Sequence, residues 1–214
     1  MKGLAAAVAG ATGLVGGLVL RRLLDDPEVE RVIAPTRRPL PPHPKLSNPI
    51  LAGGGWPALA PLDEAYACLG TTRAAAGSDE AFRAVDLGLT LAFARAAKAA
   101  GARRFGLVSS IGARARSRFL YLRTKGEAEA AVSGLGFESV AVVRPSYLLG
   151  ERSRARPAEA LALAAFRLAA PVLRGPLRRW RAVRAEDVAA SLVAALRGRV
   201  PGTLILESGA LRAP

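Results

Sequence analysis

Two side chains that could transfer a proton lie four positions apart in the second half of the chain. A helix carries residues i and i+4 on one face, so Tyr121 and Lys125 would present a phenol beside an ammonium. A free phenol has a pKa near 10, and a neighbouring ammonium stabilises the phenolate, which suits proton exchange with a substrate oxygen. Ser109 and Ser110 end an apolar run shortly before, and either hydroxyl could hydrogen-bond that oxygen. This spacing predicts a proton-transfer site.

A glycine-rich loop near the N-terminus could hold the other reactant. Gly10, Gly13 and Gly16 lie at the junction of a predicted strand over 4–9 and a predicted helix over 15–24. The first glycine allows a tight turn, the second lets the backbone approach a pyrophosphate, and the third lets the helix pack closely on the strand. The helix then directs its N–H groups and the positive end of its dipole at the phosphates. We therefore predict a dinucleotide-binding loop.

The end of the second predicted strand selects between two dinucleotides. NAD-specific sites place an acidic residue there for the ribose 2′-hydroxyl, whereas this chain offers Thr36, Arg37 and Arg38. A carboxylate would repel a 2′-phosphate, and a guanidinium binds it through charge-assisted hydrogen bonds. The sequence therefore predicts NADPH rather than NADH.

Short apolar runs alternate with helical segments along most of the chain. The predicted strands are 4–9, 31–34, 65–69, 105–108, 139–143 and 203–206, with a weak one near 50–51. The predicted helices are 15–24, 79–100, 119–132, 158–170 and 186–196. This alternation predicts an α/β fold with a doubly wound parallel sheet of the Rossmann type, formed by residues 1–214 as a single domain. The alternation breaks over about 152–184, where we expect a small C-terminal lobe that covers the substrate.

Composition excludes several classes of protein. A chain of 214 residues that is 51% hydrophobic can bury enough apolar surface to fold, which excludes intrinsic disorder. The chain has one cysteine, Cys68, which excludes a disulfide framework and a cysteine-based zinc site. It has one histidine, His43, with no second ligand nearby, so no metal site is predicted. Residues 3–20 carry no charge but consist largely of alanine and glycine, which favours a strand and phosphate loop over a membrane segment. We expect a cytoplasmic protein.

The net charge of +14 leaves two interpretations open. Abundant arginine and alanine fit a compositional bias, and the same arginines fit an anionic partner. Nucleic-acid surfaces cluster cations among aromatic side chains, whereas only 5% of residues here are aromatic and the arginines are scattered, with local groups at 114–118 and 178–181. A nucleic-acid partner is therefore disfavoured.

Several motifs resemble known proteins. The glycine loop over 10–16, the serine pair and the Tyr121-x-x-x-Lys125 pattern resemble the short-chain dehydrogenase/reductase superfamily of the atypical or extended type. Longer stretches are more similar to the Tat-interactive oxidoreductase-like group and its bacterial relatives. These stretches are 68–73, 109–113, 119–129, 144–149 and 156–157.

The resemblance implies an NADP(H) cofactor and assigns roles to particular residues. Tyr121 would donate or accept the proton, Lys125 would hold the nicotinamide ribose, and Ser110 rather than Ser109 would polarise the substrate oxygen, since extended members use the last serine of the run. Residues 12–15 would touch the pyrophosphate, and Arg37 and Arg38 would bind the adenosine phosphate. Leu69 and Gly70 would line the adenine ribose side. Leu148 and Arg156 would close over the cofactor. The implied cofactor-binding residues, besides Tyr121 and Lys125, are Gly10, Thr12, Gly13, Leu14, Val15, Arg37, Arg38, Leu69, Gly70, Leu148 and Arg156.

Three departures from the family pattern keep alternative functions open. Asp86 stands where many dehydrogenases carry an asparagine, glycines fill 53–55 where an acidic segment often contacts adenine, and the C-terminal lobe is short. The first hypothesis is an oxidoreductase that transfers a hydride to or from a small carbonyl or alcohol substrate. The second is a non-catalytic NADPH sensor that acts through a protein partner, and the third is a binder of anionic polymers.

Overall fold

Seven parallel strands form the main sheet of the computed structural model, which describes residues 3–51, 55–149 and 180–211. Across the sheet the strand order is β3-β2-β1-β4-β5-β6-β9, and β7 pairs with β8 in a separate two-stranded sheet. The strand bounds are β1 (Leu4–Ala9), β2 (Val29–Ile33), β3 (Leu46–Ser47), β4 (Glu64–Ala67), β5 (Arg104–Val108), β6 (Ser139–Arg144), β7 (Leu148–Leu149), β8 (Val183–Arg184) and β9 (Gly202–Glu207).

Helices cover both faces of the sheet. They are α1 (Leu14–Asp25), α2 (Arg73–Ala76), α3 (Asp79–Arg83), a π-helical segment (Ala84–Leu89), α4 (Thr90–Ala99), α5 (Leu120–Ser133) and α6 (Ala185–Arg197), followed by a 3₁₀ turn (Ser208–Ala210). One core cluster joins the sheet to α1 and α6, and a second joins it to α4 and α5. The predicted doubly wound Rossmann sheet is confirmed.

Small side chains let the two helical layers approach the central strand. Residues 6–9 of β1 are Ala-Ala-Val-Ala and none has accessible surface. Burial on both faces explains why this strand reads as a continuous apolar run rather than as an alternating pattern. The flanking helices supply the bulk, for example Val19 of α1 and Phe93 of α4, which are both fully buried.

The single helix predicted over 79–100 is divided into α3, the π-helical segment and α4. Its start is as predicted, because the Ser78 hydroxyl accepts a hydrogen bond from the Ala81 N–H, and Gly101 follows the end with φ +90°. Single-turn π segments inside helices occur frequently at functional sites. Here the wider turn carries Asp86, which is only 1% exposed.

The predicted weak strand near 50–51 is wrong. The proline-rich loop contains the short strand β3 at Leu46–Ser47 instead, and Ile50 makes only a single bridge with Thr36. Proline lacks the N–H that a strand ladder needs, and Pro44 and Pro49 lie on either side of β3 and keep it short.

The predicted lobe over 152–184 lies almost wholly outside the described residues, together with the predicted helix over 158–170 and Arg156. The structure describes the two strands that flank it. Leu148 pairs with Val183, and the Val183 N–H donates to the Tyr147 carbonyl at 2.9 Å. The single-domain assignment and the lobe's covering role stay predictions.

A buried polar network lies at the amino ends of the central strands. Glu64 has no accessible surface, accepts hydrogen bonds from Tyr66 at 2.9 Å and Arg104 at 3.1 Å, and lies 3.5 Å from Arg197. Burial, reinforced by the charge of Glu64, raises the pKa of the Tyr66 phenol well above 10. This network lies at the opposite edge of the sheet from the strand ends that carry the predicted site.

Candidate functional site

The predicted site residues other than Leu148 and Arg156 follow the carboxyl ends of β1, β2, β4 and β5. These strands are parallel, so their carboxyl ends share one edge of the sheet. The strand order reverses direction between β1 and β4, and open α/β sheets bind ligands in the crevice at such a switch point. The fold therefore gathers residues that are distant in sequence at one crevice.

The glycine loop is built by close backbone approaches. Gly10 has φ +83°, and a Cβ there would lie 2.6 Å from the carbonyl oxygen of Cys68. A Cβ on Gly16 would lie 2.1 Å from the carbonyl oxygen of Gly10. No side chain fits at either position, so α1 packs directly against the β1–β4 junction.

The outer side of the loop presents backbone groups. Thr12 and Gly13 are exposed, α1 begins at Leu14, and no side chain caps its first turn, which holds no acidic residue. Val15 is only 6% exposed, so it can reach a ligand through its N–H rather than its side chain. Uncapped N–H groups at a helix N-terminus fit a pyrophosphate.

Arg37 and Arg38 are presented by a hydrogen-bonded turn after β2. The Thr36 hydroxyl donates to the Arg38 carbonyl at 2.6 Å, and Asn48 donates to that hydroxyl at 2.8 Å and to the Ala34 carbonyl at 2.6 Å. Both arginines are exposed, and within the described residues neither guanidinium has a carboxylate partner. Sequence reasoning missed Asn48, because its role depends on a contact across the proline-rich loop.

Lys125 is held in the crevice by a buried ion pair. Its Nζ lies 2.7 Å from Oδ1 of Asp86, and the two side chains are 8% and 0% exposed. The Thr71 N–H donates to the other carboxylate oxygen at 2.9 Å. A Cβ on Gly70 would lie 3.7 Å from both charged atoms, so the missing side chain leaves Lys125 open to the end of β4. Sequence reasoning singled out Asp86 only as a departure and missed this pairing.

Tyr121 lies one turn before Lys125 in the first turn of α5. Its ring packs on Phe82 of α3 with ring centroids 5.8 Å apart, and 38% of the residue is exposed. Within the described residues, the phenolic hydroxyl makes no hydrogen bond. A packed ring with an open hydroxyl, one helical turn before a buried ammonium, can exchange a proton with a bound ligand.

The two serines after β5 differ in their hydrogen bonding. The Ser109 hydroxyl donates to the buried Glu129, which is held by Arg144 through bonds of 3.0 and 2.6 Å. Hydrogen bonding to Glu129 raises the pKa of Arg144 above its ordinary value, although desolvation opposes this shift. Ser110 is partly exposed, and its hydroxyl has no partner in the described part of the chain. Of the two hydroxyls, that of Ser110 is the one open to a ligand, and its catalytic role stays a prediction.

The remaining candidates lie around the crevice. Leu69 is partly buried against the core after β4, and Leu148 is partly exposed in β7. Burial raises the pKa of the Cys68 thiol to about 12, although the charge of Lys125 lowers it, so Cys68 carries no thiolate near neutral pH.

The described residues contain no group of three or more potential metal ligands and no helix long and apolar enough to span a membrane.

Comparisons with known proteins place the chain in a family. No family model matches it. It is 40% identical over 167 residues to the protein fmp52, mitochondrial, of Emericella nidulans, covering 73% of this chain and 72% of the relative. The chain belongs to the Fmp52 family. The Fmp52 relatives are named mitochondrial, so the expected cytoplasmic location is wrong for this family.

Solved structures confirm the fold of this Fmp52 family member. The Bordetella bronchiseptica enzyme WbmG in complex with NAD is 14% identical, with a TM-score of 0.67 over 97% of this chain and 74% of that one. A short-chain dehydrogenase family protein from Francisella tularensis is 12% identical, with a TM-score of 0.66 over 97% and 98%. The fold is that of the short-chain dehydrogenase/reductases, and the closer resemblance to the Tat-interactive group is not confirmed.

Proposed function

We propose that this Fmp52 family member is an NADPH-dependent oxidoreductase of the short-chain dehydrogenase/reductase type, acting on a small carbonyl or alcohol substrate. The observation that carries the proposal is the buried ammonium of Lys125, fixed at the carboxyl end of β4 one helical turn from the open phenol of Tyr121. A buried cation beside an unpaired phenol is costly to maintain for stability alone and suits proton transfer.

Features at both ends of the crevice support the binding of a dinucleotide. The uncapped start of α1 suits the pyrophosphate, and the absence of a side chain at Gly70 leaves room beside Lys125. At the other end, two unpaired guanidiniums suit a 2′-phosphate, and residues 31–62 contain no acidic residue to favour an unphosphorylated ribose. Neighbouring folds hold NAD, so the preference for NADPH depends on Arg37 and Arg38 of this chain.

The chain's own residues have distinct parts in the proposed reaction. The bound cofactor supplies or accepts the hydride. Tyr121 exchanges a proton between its phenolic oxygen and the substrate oxygen, and the Ser110 hydroxyl donates a hydrogen bond to that oxygen. Lys125 holds the ribose hydroxyls and stabilises the phenolate, while Asp86 fixes the position of the ammonium.

Direct binding tests the cofactor preference without a known substrate. We expect the parent protein to bind NADPH at least about tenfold more tightly than NADH, because each charge-assisted hydrogen bond contributes about 1.5–3 kcal/mol. The Arg37→Gln/Arg38→Gln variant should lose that preference, whereas Arg21→Gln/Arg22→Gln, which removes the same charge from the exposed side of α1, should keep it. Equal affinity of the parent for both dinucleotides would refute the NADPH assignment.

A second candidate function has its own supporting observation. The charge of Lys125 is already neutralised by Asp86, which weakens its support for a phenolate and suits a protein that binds NADPH without turnover. Such a sensor would act through a protein partner. If Tyr121→Phe abolishes turnover and leaves the NADPH affinity intact, the enzyme is favoured. If a partner interaction responds to NADPH and is unaffected by Tyr121→Phe, the sensor is favoured. We extend the mitochondrial location of the named relatives to this chain under either function.

A further inference from the structure

A second cleft lies beside the proposed active site and contains an unusual density of positive charge. It has a volume of about 540 Å³ and lies between the β5–α5 loop and the ends of β6 and β9. Small-molecule sites typically enclose about 300–1,000 Å³. The charged side chains that line it are Arg114, Arg116, Arg118, Arg144 and Glu207.

The arginines of this cleft differ in their pairing. Arg144 is tied to Glu129 through two hydrogen bonds and lies 3.8 Å from Glu207, so its charge is already balanced. Arg114, Arg116 and Arg118 are exposed, and no carboxylate among the described residues pairs with any of them. Three guanidiniums in one cleft therefore lack a counter-charge.

The loop that carries these three arginines is anchored on α5. The Arg114 N–H donates to the Leu122 carbonyl at 3.1 Å, and the Arg123 guanidinium donates to the Ser117 carbonyl at 3.1 Å. A Cβ on Gly126 would lie 2.3 Å from the Arg114 carbonyl carbon, so the missing side chain permits direct backbone packing. The loop's backbone is thus fixed before any ligand arrives, which lowers the entropy lost on binding.

The cleft also offers an apolar contact. Phe119 lines it with 73% of its surface exposed, beside Leu122. An exposed aromatic ring next to guanidiniums suits a ligand that has both an organic portion and an anionic group. One carboxylate would neutralise only one of the three free charges, whereas a phosphate ester carries about two negative charges at neutral pH and presents three acceptor oxygens. Arginine forks match phosphate geometry.

We propose that this cleft binds a small organic phosphate through Arg114, Arg116 and Arg118, with the organic portion against Phe119. The site is distinct from the dinucleotide crevice. Leu122 is about 100° around α5 from Tyr121, which packs toward α3, and Phe119 precedes the helix in an extended conformation. The proposal does not depend on turnover, and Arg37 and Arg38 take no part in it.

Calorimetric titration with phenyl phosphate tests the proposal. We expect binding at about millimolar concentration or tighter, weakened at least about tenfold in the variant Arg114→Gln/Arg116→Gln/Arg118→Gln. The control Arg21→Gln/Arg22→Gln/Arg95→Gln removes three exposed helix arginines and should bind within about twofold of the parent. The Arg37→Gln/Arg38→Gln variant should also bind normally, which separates this site from the proposed NADPH site.

Two further probes give the chemistry of the ligand. Benzoate, an aromatic monoanion, should bind more weakly than phenyl phosphate, and Phe119→Ala should weaken phenyl phosphate but not inorganic phosphate. The proposal is overturned if phenyl phosphate does not bind, or if the control variant loses as much affinity as the cleft variant. It is also overturned if a single-stranded oligonucleotide binds far more tightly with a steep salt dependence, which would identify a polymer partner.

Discussion

Replacing Asp86 by asparagine tests how the structure holds the buried ammonium of Lys125. The substitution keeps the shape of the side chain and an oxygen for the Thr71 N–H, and it removes the charge that lies 2.7 Å from the Lys125 ammonium. The buried ammonium then loses its carboxylate partner.

The size of this loss can be worked out. Removing one partner of a buried ion pair costs about 3–5 kcal/mol, and in a chain of this size 1 kcal/mol lowers Tm by about 2–4 °C, so a fall of about 6–20 °C is expected.

Thermal melts measure this loss without a substrate. Asp79→Asn removes an exposed carboxylate that pairs with Arg73 and serves as the matched control. Because exposed ion pairs contribute about 0–1 kcal/mol, Asp79→Asn should lower Tm by no more than about 4 °C. Equal Tm values for Asp86→Asn and Asp79→Asn would refute the reasoning.

Three other substitutions or reactions test the packing and the remaining charges. Gly126→Ala should lower Tm by about 5 °C or more in a thermal melt, because the new Cβ would lie 2.3 Å from loop backbone. Cys68 should react with a thiol reagent near pH 8 roughly a thousandfold more slowly than an exposed cysteine, because burial raises its pKa from 9.0 to about 12. Desolvation raises the pKa of Asp26, but hydrogen bonds from Arg197 and the Glu28 N–H together with nearby positive charges lower it overall. The stability that Asp26→Asn removes should therefore be present above pH 3.8 and be lost as the pH falls further, in urea melts across that range.

Each of these three predictions would be contradicted by a specific experimental result. An unchanged Tm in Gly126→Ala would mean that the loop does not pack on α5. Rapid labelling of Cys68 in the folded protein, at the rate seen after unfolding in urea, would mean that the thiol is solvated. A stability difference for Asp26→Asn that stays constant down to about pH 3 would mean that folding does not lower the pKa of that carboxyl.

The sequence predicted the parts of the site that depend on local order. The glycine loop, the arginines after β2 and the Tyr121–Lys125 spacing are each set by neighbours within a few residues, because a strand end or a helical turn fixes them. The parallel sheet with helices on both faces follows from the alternation of elements. Residue order along the chain is therefore enough to predict these features.

What the sequence did not predict depends on contacts between distant segments. Asp86 meets Lys125 across 39 positions, and it does so because a π-helical turn interrupts a segment that reads as one continuous helix. Glu129 reaches Ser109 across 20 positions and separates two adjacent serines that are chemically alike. Periodicity alone could not reveal either partner, since each pairing depends on how α5 packs against the sheet and the preceding helix.

The distribution of paired cations bears on the meaning of the +14 charge. A buried arginine must have a carboxylate, because an uncompensated buried charge is strongly destabilising, so the pairing of Arg104 with Glu64 says nothing about partners. Only exposed, unpaired arginines can report on a ligand. A compositional bias scatters these over the surface, as on the outer faces of α1 and α4. It does not account for a pair fixed at the end of β2 or for three on one anchored loop. Each binding-site variant and its control remove the same number of arginines. If the charge is a compositional bias, the two variants should bind alike. If it has a functional origin, only the loss of arginines at the binding site should weaken binding.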